Sequence, residues 1–346
     1  MKPLLKDMNL SLLTEFLGRL GEPPYRAGQL ARWLFQRGAV SWAEMTDLPQ
    51  DLRGRLEATA RLGGLSVLKK QVSRRGDTTK YLFGLCDGQA VEGVLMTHYY
   101  GRSACVSTQV GCRMGCRFCA STLGGLVRQL SAGEIYDQVL AMQRDAGVRV
   151  GHVVLMGSGE PLDNFDQVLR FLENITAPYG LNIGYRHITL STCGLVPRIR
   201  ELARLRLGLT LAVSLHAPTD ELRDRLVPVN RRHPLAELLA ACREYAQSTG
   251  RRITFEYALL AGVNDAPEQA SRLAGLLHGL LCHVNLIPFN PVDERNFRRS
   301  VPERVRRFRD ILRERGISVT VRRELGADID AACGQLRRRE TGAAHN

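Results

Sequence analysis

The sequence predicts an α/β protein built on a parallel sheet or barrel, preceded by a small helical region. Two observations support this prediction. From about residue 103 onward, short runs typical of β-strands alternate with helical stretches, and before about residue 75 the apolar spacing is helical. Alternating strands and helices favour parallel strands, whose C-terminal ends hold the functional residues. A length of 346 residues accommodates one barrel and a small appendage.

Residues 1–75 are predicted to form a mostly helical accessory domain. The stretches LSLLTEFLGRLG and RAGQLARWLFQRG both show helical apolar spacing and end at a glycine. The stretch LPQDLRGRLEATA follows, with Pro49 suited to the first turn of a helix. Residues 76–102 contain TTKYLFGLCDGQAVEGVLM, which alternates like two strands around the turn CDGQ and predicts a β-hairpin extension.

Residues 103–337 are predicted to form the barrel, and residues 338–346 a frayed tail. Some of the helical stretches open on good caps, such as the capping box from Ser131 to Glu134. The strand-type runs are ACVSTQV, HVVLMG, HITLST, LTLAVSL, ITFEYALL and HVNLIPF. Polar residues suited to a functional site fall where these runs end, namely Glu160, Ser191, Ser214, His216 and Asn290.

The composition bounds the classes of function. The formal net charge of +13 favours a polyanionic partner, although a basic and inert surface stays open at this point. The N-terminus lacks the apolar core and cleavage site of a signal peptide. No run of about eighteen apolar residues predicts a membrane span. We therefore expect a cytoplasmic protein, whose nine cysteines are thiols, metal ligands or catalysts rather than a disulfide framework.

The clearest chemical signal is the segment STQVGCRMGCRFCAST, which spaces Cys112, Cys116 and Cys119 as Cys-x3-Cys-x2-Cys. A structural zinc site would require four ligands in two close pairs, and no fourth ligand follows at such spacing. Three thiolates suit an iron–sulfur cluster that leaves one iron without a protein ligand, where a substrate can bind. The alternative is three buried or incidental cysteines, which this spacing disfavours.

This cysteine motif, in a loop after the first barrel strand, resembles that of the radical SAM superfamily. The resemblance implies a partial (β/α)6 barrel and a [4Fe–4S] cluster held by the three cysteines. It also implies that S-adenosylmethionine (SAM) chelates the open iron through its amino and carboxylate groups. An electron from the cluster then cleaves SAM to methionine and a 5′-deoxyadenosyl radical, which explains why three protein ligands suit the task better than four.

The stretch LMGSGEPLDN resembles the superfamily element that binds the amino group of SAM, with Gly159 and Glu160 at the matching positions. Taken alone, glycines after a strand indicate only close backbone approach to a ligand, or an ordinary turn. Ser158 departs from the methionine that the nearest subfamily usually has. The order and spacing of the family extend the implied SAM site to Ser191, Ser214, Leu215, His216 and Asn290.

The stretch DIDAACGQL is very similar to the C-terminal motif of the RlmN/Cfr family of RNA adenosine methyltransferases. The similarity extends through CVSTQVGC, SLHAP, RLVPVN, GVND and VNLIPFNP, from about residue 80 to 337. The N-terminal block also resembles the helical accessory domain of that family. Composition alone would make Cys333 a small buried cysteine; the resemblance implies instead that it is the catalytic residue that accepts a methyl group.

The resemblance implies a route that uses two SAM per turnover. Cys333 takes a methyl group from one SAM, and the radical from the second removes a hydrogen from this S-methyl group. The carbon radical then adds to the adenine and forms a covalent protein–RNA adduct. Cys105 corresponds to the residue that helps remove the ring proton and frees the RNA through a transient disulfide with Cys333. Glu92 corresponds to the proposed proton acceptor; its alternative is an exposed carboxylate on a strand.

Two types of enzyme in this family methylate different carbons of one 23S rRNA adenosine. The stretches GEPL and TFEYALL resemble the RlmN type, which acts on carbon 2 in the peptidyl-transferase centre. Many members of that type also act on the adenosine 3′ of the tRNA anticodon. Leu325, where the RlmN type usually has arginine, resembles the Cfr type, which acts on carbon 8 and confers antibiotic resistance. Carbon 2 is the expected target.

The implied partners are 23S rRNA, tRNA as a second substrate, and an electron donor such as flavodoxin, and we expect a monomer. Two rival classes are a radical SAM enzyme for a small molecule and a non-catalytic RNA-binding protein with a structural metal. The first gives no reason for Cys333, Cys105 and the net charge together. The second predicts four cluster ligands.

Arginines of the stretch NFRRSVPERVRRFRDILRERG are expected to face RNA, while its apolar residues pack inward: Val305, Phe308, Ile311 and Leu312. The other cysteines are interpreted as packing residues: Cys86, Cys193, Cys242 and Cys282.

Overall fold

The computed structural model describes residues 2–323 and 325–336. The predicted tail at 338–346, and Arg337 at the end of the predicted barrel range, lie outside these residues. The described α-helices are α1 (Leu10–Arg19), α2 (Tyr25–Ala31), α3 (Gln50–Thr59), α4 (Ala132–Ala146), α5 (Phe165–Thr176), α6 (Val196–Leu205), α7 (Asp220–Leu226), α8 (Leu235–Thr249), α9 (Pro267–Leu277) and α10 (Pro302–Glu314). The described strands are β1 (Leu65–Val72), β2 (Thr78–Leu85), β3 (Ala90–His98), β4 (Gly101–Cys105), β5 (Gln109–Gly111), β6 (Leu126–Gln129), β7 (His152–Leu155), β8 (Ile188–Thr192), β9 (Thr210–Ser214), β10 (Ile253–Leu259), β11 (Cys282–Pro288) and β12 (Val319–Val321).

The N-terminal helices form where the sequence predicts them. The Asn9 side chain caps α1 by accepting from the Leu12 N–H at 3.0 Å. Helix α2 continues as a π-helical turn (Arg32–Arg37) that ends at Gly38, whose φ of 64° suits glycine. The helical block is shorter than the predicted range 1–75, because β1 begins at Leu65. This strand is a largely exposed edge strand, so its residues lack the apolar alternation that marks a strand, and its pairing with β2 fixes it instead.

Ten strands form one open sheet in the order β1-β2-β3-β4-β7-β8-β9-β10-β11-β12. The first four strands pair antiparallel, and β2 and β3 form the hairpin predicted around the turn CDGQ. Strands β4 and β7 to β12 run parallel. At least one helix lies between each successive pair of these parallel strands, so six β/α units precede the short β12. This arrangement confirms the predicted partial (β/α)6 barrel.

The main hydrophobic core contains residues of both the N-terminal helices and the barrel. The Tyr136 hydroxyl of α4 donates to the Phe35 carbonyl at 3.0 Å. On the same helix, Asp137 forms a buried ion pair with Lys6, with 2.5 Å between Nζ and Oδ1. The predicted inward face of α10 is buried as expected: Val305, Phe308, Ile311 and Leu312. The C-terminal ends of the parallel strands therefore stand on a rigid support. Within the part of the chain that the structure describes, no helix is long and apolar enough to cross a membrane.

Candidate active site

The three predicted cluster cysteines lie on one loop, between β5 and a short 3-10 turn (Ala120–Thr122). Gly111 has a φ of 76°, and a Cβ there would lie 1.9 Å from the Gly125 carbonyl oxygen, so the loop requires glycine. Cys112 and Cys116 are buried, and Cys119 is half-buried. Burial raises the pKa of the Cys112 thiol to about 12, and it also raises the pKa of the other two. The charged forms of these thiols therefore need a cation beside them.

The predicted SAM-binding element follows β7 and packs directly against the segment before β5. A Cβ on Gly159 would lie 2.7 Å from Cβ of Gln109, so only glycine permits this approach. Glu160 is buried, and its carboxylate accepts from the Cys193 N–H at 2.8 Å and the Leu162 N–H at 3.1 Å. Burial raises the pKa of Glu160. The carboxylate lines the same large cavity as the three cysteines.

Ser158, the departure from the family pattern, ties this element to its neighbours. Its N–H donates to Oγ of Ser107 at 2.9 Å, and its own Oγ lies 3.2 Å from Oγ of Ser121. Ser121 in turn donates to the Leu336 carbonyl at 2.7 Å. One chain of hydrogen bonds thus links the SAM-binding element, the cysteine loop and the C-terminal segment.

The strand-end residues of the prediction line the large cavity together: Ser191, Ser214, His216 and Asn290. His216 has a φ of 58°, and its Nδ1 accepts from the Ala258 N–H at 2.9 Å, which places the ring proton on Nε2. Burial lowers the pKa of His216 to about 3, so the imidazole is neutral. Asn290 donates to the Cys333 carbonyl at 3.4 Å.

Leu215 is the one predicted SAM residue that the structure does not bring to this cavity. Its side chain is fully buried in the core, its N–H donates to the Glu256 carbonyl at 3.0 Å, and its carbonyl accepts from Arg223 at 3.1 Å. Glu256 itself lines the cavity, although sequence reasoning gave it no such role.

The C-terminal segment crosses the mouth of the barrel and places Cys333 beside Cys105. The Gly334 carbonyl accepts from the Ala120 N–H at 2.9 Å, and the Asp330 carbonyl accepts from Lys80 at 3.3 Å. Cys333 borders the large cavity and also a second, smaller one, which Cys105 lines. All nine cysteines lie within the described residues as free thiols, so the implied disulfide is not present in this state.

Glu92 is buried on β3, one strand away from Cys105. Its carboxylate forms an ion pair with Lys80 at 3.4 Å, and the Lys80 side chain is equally buried. The alternative of an exposed strand carboxylate is therefore wrong. Lys80 also contacts the C-terminal segment through Asp330, so it couples Glu92 to the segment that holds Cys333.

Besides Glu256, sequence reasoning missed three further residues of the site. Cys193, interpreted as packing, lines the large cavity beside Glu160. Arg223 is fully buried and donates to the carbonyls of Leu215, Ser214 and Cys193. Arg322, directly after β12, lines both cavities. Its position at a strand end is the signal that could have found it.

The remaining cysteines differ in setting. Cys242 is buried in the core, as expected of a packing residue, and Cys282 is half-buried against the same core. Cys86 is exposed, and its Sγ accepts from Arg61 at 2.8 Å, so the packing interpretation is wrong for this cysteine.

The residues present fit a cluster and SAM. Oδ1 of Asn290 is buried without a hydrogen-bond partner among the described residues, which leaves an acceptor for a ligand donor. Within those residues, no three His, Cys, Asp or Glu side chains are arranged to hold a metal ion. In a four-iron cluster each cysteine binds a different iron. The three thiols therefore need only border one space, as Cys112, Cys116 and Cys119 do.

Comparison with known proteins agrees with this geometry. Residues 106–274 match the family described as Radical SAM superfamily, and residues 4–62 match the Ribosomal RNA large subunit methyltransferase N-terminal domain. A radical SAM methyltransferase from Sphaerobacter thermophilus, known from its crystal structure, superimposes with a TM-score of 0.94 and 49% identity. The match covers 97% of this chain and 99% of that one. Barrel, cysteine loop and cavity thus define a radical SAM protein.

Two relatives narrow the class further. A protein of Desulforamulus reducens named "Probable dual-specificity RNA methyltransferase RlmN" is 64% identical over 335 residues, which are 97% of this chain and 96% of the relative. A protein of the same name from Symbiobacterium thermophilum is 58% identical over 338 residues, covering 97% and 91%. The chain belongs to the RlmN family of the radical SAM superfamily. Membership in that superfamily implies a [4Fe–4S] cluster and SAM as cofactors.

Proposed function

We propose that this protein is a SAM-dependent RNA methyltransferase that installs a methyl group on carbon 2 of an adenosine in the peptidyl-transferase centre of 23S rRNA. The adenosine 3′ of the tRNA anticodon is its second substrate. The names of the relatives support the RNA methyltransferase activity. The observation that carries the proposal is the shared cavity of Cys105 and Cys333, which opens beside the predicted cofactor site. A radical SAM enzyme that acts on a small molecule would give no reason for Cys105 and Cys333 in addition to the three cluster cysteines.

The cofactor roles follow from what lines the large cavity. One cluster is held by Cys112, Cys116 and Cys119. SAM is bound by the loop of Gly159 and Glu160 and by strand-end residues around it: Ser191, Ser214, His216 and Asn290. When bound, the cluster and two SAM per turnover supply a methyl group and the radical that activates it. Glu160 is suited to a cationic amino group, and the neutral His216 to a hydrogen bond with a ribose.

Cys333 is the residue that accepts the methyl group. It is half-buried and borders the cofactor cavity, while Ala331 packs in one hydrophobic cluster with Val94 and Met96, and Ala332 lines the second cavity. Small neighbours leave space at the sulfur for an incoming carbon. The hydrogen bonds of the segment with the cysteine loop hold this sulfur near the cofactor site.

Cys105 lines the second cavity together with Cys333, and it acts in the later steps of the reaction. Burial, with a further contribution from Cys333, raises the pKa of Cys105 to about 12. It therefore stays a thiol until a base acts on it. Glu92, paired with Lys80, lies on the neighbouring strand as the proton acceptor. Release of the RNA then follows from a transient disulfide between Cys105 and Cys333.

RNA is held chiefly by phosphate contacts and shape, with the target base extruded into the pocket. The net charge of +13 and the exposed arginines of α10 supply cations for these contacts. The N-terminal helical domain, which ends before β1, adds a second contact region. Binding of RNA is accordingly expected to weaken steeply as salt increases. The enzyme acts in the cytoplasm as a monomer and receives electrons from a carrier such as flavodoxin.

Carbon 8 is the second candidate target, because Leu325 resembles the Cfr type. Leu325 packs in the small cluster that contains Cys105 and Ala331, so it shapes the cavity where the base would meet Cys333. The stretches around Glu160 and Glu256 favour carbon 2, and both glutamates line the cofactor cavity.

Mass analysis of 23S rRNA from cells that lack or carry this gene tests the proposal. Methyl on carbon 2 is expected with the unchanged protein, and none with Cys333→Ala. Cys105→Ala is expected to leave RNA covalently attached to the protein, while the control Cys86→Ala retains full activity. Methyl on carbon 8 would favour the second candidate, and methylation by Cys333→Ala would overturn the scheme. Iron-free, colourless protein after anaerobic purification would instead favour a non-catalytic RNA-binding protein.

A further inference from the structure

The turn between β3 and β4 carries two adjacent tyrosines on the surface. His98 and Gly101 pair across the turn, so Tyr99 and Tyr100 are its two residues. The Tyr99 side chain is completely exposed, and Tyr100 is 51% exposed. Turns of two residues usually carry glycine, asparagine or aspartate. Two large aromatic side chains in this place add little to the core, so a role at the surface explains them better.

The rings around this turn hold one another in place. The His98 imidazole stacks on the Tyr100 ring, with 4.8 Å between the centroids and an angle of 7° between the planes. Tyr99 contacts Tyr100 edge to face at 5.0 Å, and His152 of β7 does the same at 5.0 Å. Nε2 of His152 in turn lies 3.0 Å from Nδ1 of His187. We call Tyr99 and Tyr100, with the supporting rings of His98 and His152, the aromatic platform.

The aromatic platform continues the wall of the second cavity. Val94 and Met96 of β3 line that cavity, as does Cys105, which pairs with Val94 from β4. Alternate residues of a strand lie on the same face, and two residues span about 7 Å. His98 is the next residue on this face after Met96, so the platform begins about 7 Å along the strand from the cavity wall.

A cation lies at the same end of β3. Arg323 lines the second cavity, and its side chain is 71% exposed. Its Nη2 lies 3.5 Å from Oδ2 of Asp77, whose backbone carbonyl accepts from the Thr97 N–H at 2.8 Å. Thr97 directly precedes His98, so these contacts place the guanidinium at the end of the strand that carries the platform. Exposed aromatic rings with a guanidinium nearby suit a nucleotide, because its base stacks on a ring and its phosphate is anionic.

We propose that the aromatic platform binds an unpaired nucleotide of the RNA substrate, with its base stacked on the two tyrosines, next to the nucleotide that enters the second cavity. This inference rests on the proposed function, which makes RNA the substrate. A base that is extruded into a pocket leaves its neighbours in the strand without a stacking partner. Aromatic side chains just outside the pocket replace that partner. The rings of the platform are already in contact with one another, so little side-chain freedom is lost on binding.

The test measures the affinity of the full-length protein, at one salt concentration, for a single-stranded oligouridylate of about twelve nucleotides and for an abasic oligomer with as many phosphates. Tyr99→Leu and Tyr100→Leu are each expected to weaken binding of the oligouridylate about tenfold and to leave binding of the abasic oligomer unchanged. The matched controls Tyr99→Phe and Tyr100→Phe keep the rings and are expected to retain the affinity. Photo-crosslinking of an oligouridylate that carries 5-iodouridine, followed by peptide mass analysis, should locate the adduct at these tyrosines.

Equal affinity of the leucine variants and the unchanged protein for the oligouridylate would overturn the inference, as would an equal loss for the abasic oligomer. Loss of affinity for a flavodoxin with unchanged affinity for RNA would overturn it in favour of a protein partner. If Tyr100→Leu does not fold, the fully exposed Tyr99 decides the result through Tyr99→Leu and Tyr99→Phe. The readout needs neither SAM nor methylation. Stacking by a protein that methylates no RNA would therefore refute the proposed function alone, and methylation without stacking would refute this inference alone.

Discussion

Two arginines near the C-terminal ends of the parallel strands, Arg223 and Arg322, both interact electrostatically with cysteines, but the groups that their side chains contact differ. Arg223 is completely buried, and its guanidinium donates to four oxygens: the Leu215, Ser214 and Cys193 carbonyls and Oδ1 of Asn230. Arg322 is half-buried where two cavities meet, and its side chain contacts a thioether.

The difference between Arg223 and Arg322 shows that an arginine side chain has a structural or a functional role depending on the groups around it. A guanidinium that donates to several backbone carbonyls fixes the ends of the strands that supply them. Arg223 joins the ends of β8 and β9 in this way, and so positions the loops around Ser191 and Ser214. A guanidinium that borders a cavity presents its positive charge to the space where a ligand binds. Arg322 stands in that position, at the border of both cavities.

The largest expected effect is on folding, from Arg223→Met. Four oxygen acceptors lose their donor in the protein interior, so we expect the free energy of unfolding to fall by about 3 kcal/mol or more. Urea titration measures the change. Arg225→Met, an exposed arginine on the same helix, should change it by no more than about 0.5 kcal/mol. Similar losses from both substitutions would contradict the structural role of Arg223.

A smaller effect concerns pH, through His216 beside Arg223. Burial, with a contribution from Arg223, lowers the pKa of His216 from its ordinary 6.5 to about 3. Between these values the unfolded chain binds a proton that the folded protein does not, so stability falls as pH falls below 6.5. Between pH 7 and pH 5 the unchanged protein should lose about 2 kcal/mol more than His216→Gln. Urea unfolding at both pH values measures this, with His278→Gln as an exposed control. Equal losses in all three proteins would mean that His216 does not contribute to the pH dependence of the free energy of unfolding.

The smallest effect is expected at Arg323, next to Arg322 in sequence but on the surface. Its ion pair with Asp77 is largely exposed on the arginine side, so Arg323→Met should alter the free energy of unfolding by no more than about 0.5 kcal/mol. The same urea titration applies. A loss as large as that of Arg223→Met would mean that burial of the side chain does not explain the different contributions of Arg223 and Arg323 to the free energy of unfolding.

The sequence alone determined the features that depend on neighbours in the chain. Cys112, Cys116 and Cys119 fall within eight residues, so their spacing is visible before any folding. Strand-end positions also follow from local patterns, because the alternation of strands and helices indicates where each strand stops. All five polar residues predicted there line one cavity in the structure: Glu160, Ser191, Ser214, His216 and Asn290.

Tertiary structure alone decided which side chains meet across the sheet. Arg223 and Cys193 are 30 residues apart, and Arg322 reaches Met156 across 166 residues. No local pattern reports such contacts, because they depend on sheet order and on which face of each strand turns inward. The burial of Leu215 in the core is likewise decided by which face of its segment turns inward. The strand β1 is decided by its pairing with β2, because its own residues show no alternation of apolar and polar side chains.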